Sequence, residues 1–134
     1  MSERLAAGVL DTCTYIDLLV LDIADLPERA ELTAVSLAEL HQGVEMAKDP
    51  FTRAARAEVL SSAVKAFDPL PFDGSAATRY GSLVALTIAA GRDPRPRRLD
   101  LMIAAIASSR NLPLYTRNAA DFKGLDGLVT VRPV

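Results

Sequence analysis

The sequence predicts an α/β domain, a parallel sheet of about five strands with helices on both faces. Two observations carry this reading. Short apolar runs alternate with longer helical patterns along the chain, which is the rhythm of successive β–α–β units. No internal repeat, low-complexity tract or linker divides the 134 residues, so residues 1–134 are read as a single domain.

The elements follow in order. Ala7 to Leu10 is an apolar first strand, and Thr12 to Ile23 is a helix apolar on most sides. Leu32 to Val35 is a second strand, followed by a helix from Leu37 to Ala47. Pro50, a residue suited to a first helical turn, opens a helix to Phe67. Pro69 to Phe72 is a short strand disturbed by proline and therefore at an edge. Asp73 caps a helix that runs to Ala90 and stops at Gly91. A helix from Leu99 to Arg110 and strands at Pro113–Tyr115 and Leu128–Val131 complete the pattern. Right-handed crossovers bring the ends of successive strands to one edge of the sheet, and ligands of such folds sit outside that edge.

Composition narrows the class. Half of the residues are hydrophobic, enough for a core without disulfides, and so apolar a small domain points to surface meant for a partner. Cys13 is the only cysteine and no zinc-type spacing exists, which indicates a reducing compartment. The N-terminal apolar stretch is too short for a signal peptide, and Leu101 to Ala107 falls far below the ~20 residues of a membrane span. The expectation is a soluble, cytoplasmic protein with no membrane association. A net charge of −2 argues against a general nucleic-acid coat but leaves room for a local grip on RNA. Gly91 to Arg98 carries four arginines against one aspartate, either a solvated loop or the basic rim of a site.

Four carboxylates reach the same predicted edge. Asp11 ends the first strand, Glu39 lies in the first turn after the second, Asp100 begins the last helix, and Asp121 follows the strand Pro113–Tyr115. Each has a local alternative. Ser36-Leu-Ala-Glu39 has the form of a capping box, Asn118-Ala-Ala-Asp121 could cap a single turn, and Asp100 complements a helix dipole. Asp11 and Asp100 resist such accounts, because Asp11 continues an apolar strand and Asp100 shares a face with Ile103, Ala104 and Ala107. A carboxylate aligned with a buried stripe costs free energy unless paired. A divalent cation would resolve this for all four, and oxygen-only donors favour Mg²⁺ or Mn²⁺ over zinc. His41 faces another side of its helix.

At these residues the sequence resembles a PIN domain, specifically the VapC toxins of bacterial toxin–antitoxin pairs. The matching stretches are Val9-Leu-Asp-Thr12, Ser36-Leu-Ala-Glu-Leu-His-Gln-Gly43, Asp100-Leu-Met-Ile-Ala-Ala105 and Thr116-Arg-Asn-Ala-Ala-Asp-Phe122, in family order across nearly the whole chain. The resemblance implies an α/β/α sandwich and Mg²⁺- or Mn²⁺-dependent endoribonuclease activity. Asp11, Glu39, Asp100 and Asp121 match the acidic quartet, and Thr12, Ser36, Thr116 and Asn118 the flanking polar positions. Arg95, Arg97, Arg98 and Arg117 are candidates, by position, to steer the RNA backbone. It further implies a homodimer and a VapB-like antitoxin, joined as a heterotetramer or larger. The first helix and the Leu37–Met46 helix are the expected groove for an antitoxin segment. Two alternatives stand beside this: a catalytically silent binding module with the same fold, and a haloacid-dehalogenase-type phosphatase. The second suffers because Cys13 occupies the place of its second aspartate.

Overall fold

The structure, a computed structural model, describes residues 4–134. Its centre is a parallel four-stranded sheet built from β1 (Ala7–Leu10), β2 (Arg29–Glu31), β3 (Leu114–Thr116) and β4 (Val131–Pro133), in the order β2–β1–β3–β4. The helices are α1 (Thr12–Ile16), α2 (Ala34–Glu45), α3 (Pro50–Ala66), α4 (Gly74–Ala89) and α5 (Arg98–Ser109). Strand side chains alternate between two cores, as a period of two requires. Val9 and Leu114 pack with Leu83 of α4 and Leu101, Ile103 and Ile106 of α5. Leu10 and Tyr115 pack with Tyr15 of α1, Leu40 of α2 and Ala63 of α3. The expected α/β/α layering is therefore present. Among the described residues, no helix is long and apolar enough to cross a membrane.

The sheet departs from expectation in three places, each for a local reason. The second strand is Arg29–Glu31, not Leu32–Val35: Thr33 already caps α2, its hydroxyl accepting from the Ser36 N–H at 3.1 Å. The expected strand Pro69–Phe72 shrinks to one parallel bridge between Leu70 and Thr33. Leu70 uses both its N–H and its carbonyl there, but Pro69 and Pro71 have no N–H with which to extend the ladder. The last strand is Val131–Pro133 because Leu128 and Val129 still donate to the Leu125 carbonyl in the preceding turn. Four strands and a bridge thus replace five.

The helix expected over Thr12–Ile23 ends at Ile16 and continues as two 3₁₀ turns, Leu18–Val20 and Ile23–Asp25. A helix apolar on most sides would need cover all round, yet Leu19, Val20 and Ile23 are exposed. Asp22 also accepts from the Ala24 N–H, a side-chain bond that competes with helix continuation. The remaining helices agree with the sequence within a few residues, and Asp73 caps α4 through the Ala76 N–H.

Gly8 sets how closely β1 and β3 can stack their side chains. A Cβ at this position would stand 2.3 Å from Tyr115 Cε1 and 3.3 Å from the Pro113 carbonyl, so only glycine leaves the ring its place. Gly8→Ala is expected to destabilise the fold by about 1–3 kcal/mol, the usual scale for overpacking. Urea melts of the two proteins check this, and an unchanged midpoint would contradict the packing argument.

Candidate active site

Asp11 comes directly after β1, at the point where its own N–H still pairs with the Tyr115 carbonyl at 3.1 Å. It is buried, and its Oδ1 accepts from the Thr14 N–H at 2.9 Å, so it also caps α1. The Thr14 hydroxyl in turn accepts from the Arg117 N–H at 3.2 Å, tying this turn to the end of β3. Thr14 was given no role in the sequence reading, although it is fully buried.

Glu39 lies in the second turn of α2, because the helix starts at Ala34 and not at Leu37. It is not part of a capping box: the cap is Thr33, and Glu39 Oε1 instead faces Thr12 Oγ1 at 2.7 Å. Thr12 Oγ1 also lies 2.9 Å from Ser36 Oγ. With one proton to give, Thr12 donates to the carboxylate and accepts from Ser36. A Thr33–Ser36–Thr12–Glu39 chain therefore runs between the two elements and fixes Glu39. Thr33, three residues before Ser36, was the overlooked signal for both the helix start and this chain.

Asp100 occupies the first turn of α5, in line with Ile103, Ala104 and Ala107, all fully buried. Its carboxyl is pushed up from the ordinary 3.8 to about 6. Burial is the main cause; the charges of Glu39, Asp11 and Asp121 add to it, and Arg97 opposes them. Asp121 sits in a 3₁₀ turn, Ala119–Phe122, and pairs with Arg97 through Nη1 and Oδ1 at 3.2 Å. The Asn118 side chain does not cap this turn; its backbone N–H donates to Thr116 Oγ1 at 2.9 Å, and Thr116 is buried while Asn118 is exposed.

The fold thus brings Asp11, Glu39 and Asp121 near enough to add to the cost of ionising Asp100. Among the described residues, however, no three Asp, Glu, His or Cys side chains converge as they stand on a position that would hold a metal ion. Asp11, Glu39 and Asp121 are each turned to a protein partner. The exposed thiol of Cys13 feels the same field, raised by partial desolvation and by Asp11, Asp100 and Glu39. His41 is exposed on the outside of α2.

Of the four arginines proposed by position, only Arg97 reaches an acid of the quartet. Arg95 pairs with Asp93 at 2.9 Å in the exposed loop, Arg117 with Asp17 at 3.0 Å, and Arg98 is exposed. Arg92, not among those four, donates to the Ala120 and Asp121 carbonyls. Beside the acids an apolar groove of ≈ 710 Å³ runs between α1, α2 and α3, lined by Ile16, Leu40, Met46 and Val59 and reaching Thr12 and Glu39 at one end.

A parallel α/β/α sandwich with four acids gathered at one edge of its sheet is the architecture of the PIN-domain class. No family model matches the chain. It is 42% identical to ribonuclease VapC5 of Mycobacterium tuberculosis, over 98% of this chain and 96% of the relative. It is 35% identical to the tRNA(fMet)-specific endonuclease VapC of Shigella flexneri, over 74% and 71% of the two. Among solved structures it resembles a chain of VapBC-5, a member of the VapBC toxin–antitoxin family from M. tuberculosis, with a TM-score of 0.81, 40% identity and 96% and 98% coverage. The chain belongs to the VapC family, which sets aside the phosphatase alternative.

Because the folded value of Asp100 lies above the unfolded one, the folded state binds its proton more tightly. The stability this group contributes is present below about pH 4 and is lost as pH rises through about 6. Asp100→Asn removes the dependence. It is expected to stabilise the metal-free protein at pH 8 by about 1–2 kcal/mol, allowing for solvent screening of a half-exposed group, with the gain gone at pH 4. Paired urea melts at the two pH values check the sign.

Proposed function

We propose that this chain is a metal-dependent endoribonuclease and the toxin of a toxin–antitoxin pair, hydrolysing RNA phosphodiester bonds with Mg²⁺ or Mn²⁺. The observation that carries the metal is Asp100: a carboxylate raised first by burial and then by three other acids, with one arginine to offset them. The donor set is oxygen only, which suits a hard cation. A bound ion would supply a water of lowered pKa and positive charge beside the phosphoryl oxygens.

The side chains divide the remaining work. Asp11, Asp100 and Asp121 would hold the cation, Asp11 and Asp121 giving up protein partners in part to do so. Thr12 keeps Oε1 of Glu39 fixed, and Oε2 would be the oxygen to orient a water and take its proton. Ser36, Thr116 and the backbone of Asn118 hold the turns that carry these acids. Arg98, exposed at the start of α5, and Arg95, exposed in the turn before it, would offer charge to the RNA backbone near Asp100, and Arg117 would do so beyond β3. The activity named for the Shigella relative makes a structured tRNA the first substrate to try.

Purified protein is expected to make discrete cuts in total bacterial RNA with Mg²⁺ or Mn²⁺ and none with EDTA. Asp11→Asn should reduce them by ~10²–10³-fold in rate, the scale of a lost charge-stabilising group. Folded protein that cuts nothing under any of these conditions would favour the binding-module reading.

The groove supports the partner. An amphipathic antitoxin segment would lay its apolar face along Ile16, Leu40, Met46 and Val59, and its end would reach Thr12 and Glu39, where a basic side chain meets the acids. Assembly as a homodimer, and with antitoxin as a heterotetramer or larger, belongs to the same reading. Met46 is 64% exposed, so Met46→Asp should leave fold and RNA cleavage unchanged while weakening antitoxin binding by about tenfold or more. Calorimetric titration with the cognate antitoxin reads this, and equal affinity would place the antitoxin elsewhere.

A further inference from the structure

We propose that Arg92 and Arg97 form a clamp that sets the position of the Asp121 carboxylate, which makes them positioning residues; the inference rests on the metal reading above. Arg92 Nη1 stands 3.0 Å from the Ala120 carbonyl and 3.2 Å from that of Asp121. Arg97 Nη1 stands 3.1 Å from the Asp121 carbonyl and 3.2 Å from its Oδ1. Two guanidinium groups thus share one carbonyl oxygen, and one of them also holds the carboxylate of the same residue.

Both arginines are themselves fixed. The Arg92 N–H donates to the Thr87 carbonyl at 3.0 Å, just after Gly91 turns the chain with φ +76° at the end of α4. The Arg97 N–H donates to the Pro94 carbonyl at 3.0 Å, and Arg97 precedes Asp100 by three residues, one helical turn. A third contact closes the same seam: a Cβ on Gly124 would lie 3.3 Å from Ala90 Cβ. The Asp121 turn is therefore attached to the segment that launches α5, the helix carrying Asp100.

Packing alone does not orient Asp121. Phe122 and Leu125 anchor the far side of the turn in the core, while Ala120 and Lys123 on either side are exposed. The guanidinium bonds supply the missing constraint. They also argue against Arg92 as a direct RNA contact, because its Nη1 is turned inward onto two carbonyls.

Arg92 gives the cleaner test, since it touches carbonyls and not the carboxylate. Removing its positive charge should by electrostatics alone strengthen cation binding; loosening the turn should weaken it. The two signs are opposite. Hydrogen exchange of metal-free Arg92→Gln is expected to quicken by about fivefold at the amides of Asp121, Lys123 and Leu125, on the scale of one lost hydrogen bond, with the sheet unchanged. Its affinity for Mn²⁺ alone, read by calorimetry, should fall by a similar factor, and Arg92→Lys should restore part of both. Unchanged exchange, or faster exchange with equal or tighter Mn²⁺ binding, would overturn the clamp as a positioning device. Wild-type protein that binds no Mn²⁺ would instead overturn the metal reading, while the exchange arm would still decide whether the arginines hold the turn.

Discussion

Negative charge gathered where β1 and β3 end is the condition the surrounding structure has to accommodate. Four carboxylates from four separate elements share one edge, and each is answered differently. Asp11 receives a backbone N–H, Glu39 a hydroxyl and Asp121 a guanidinium group. Among the described residues none of these reaches Asp100, which lies in line with a fully buried stripe. It carries the raised pKa for that reason, since burial without a direct partner leaves ionisation as the adjustable quantity. The imbalance is local, and the small cation of charge +2 proposed above would remove it.

Bringing these acids together depends on the pairing of the two central strands. Asp11 and Tyr115 are more than a hundred residues apart, yet a backbone hydrogen bond joins them at the site itself. Gly8 allows the Tyr115 ring to lie against β1, and the Thr14–Arg117 bond repeats the link one turn later. The packing of the inner strands and the placement of the acids are thus one problem. A change in β1–β3 contact would shift Asp11 relative to the Asp121 turn before it reached any outer helix.

Much of this was legible in the sequence where a residue type leaves few choices. Ala7–Leu10 is apolar, short and closed by Asp11, so its strand and its end coincide with the observed ones. Pro50 and Asp73 mark helix starts for stereochemical reasons and do so here. The failures arise where apolar pattern and local hydrogen bonding disagree. Leu32 and Val35 look like one strand, but Thr33 caps a helix between them and sends the two side chains into opposite cores. Residues 17–23 look helical by apolarity alone, whereas the exposure of Leu19, Val20 and Ile23 shows that apolar side chains need not face a core of their own domain. The site was visible as acids and strand ends. Among its supports only Thr33, spaced three residues before Ser36, left a mark in the sequence; Thr14 and Arg92 did not, because a hydroxyl or guanidinium group reaching a distant turn leaves no trace in sequence spacing.

The groove and the acids meet at Thr12 and Glu39, and this contact couples two properties of the proposed toxin. An occupant of the apolar groove covers Ile16 and Met46 and ends beside a pocket whose charge is incompletely offset. A basic group placed there lowers the cost of ionising Asp100, as Arg97 already does in part from the other side. The metal ion proposed above would lower the same cost through the same oxygens. The two therefore compete even if they never touch, because each satisfies the charge that makes the other favourable. Inhibition on this view needs no conformational change in the sheet. It needs only that apolar burial in the groove hold a positive group at the acids with a free energy greater than that of the cation it replaces.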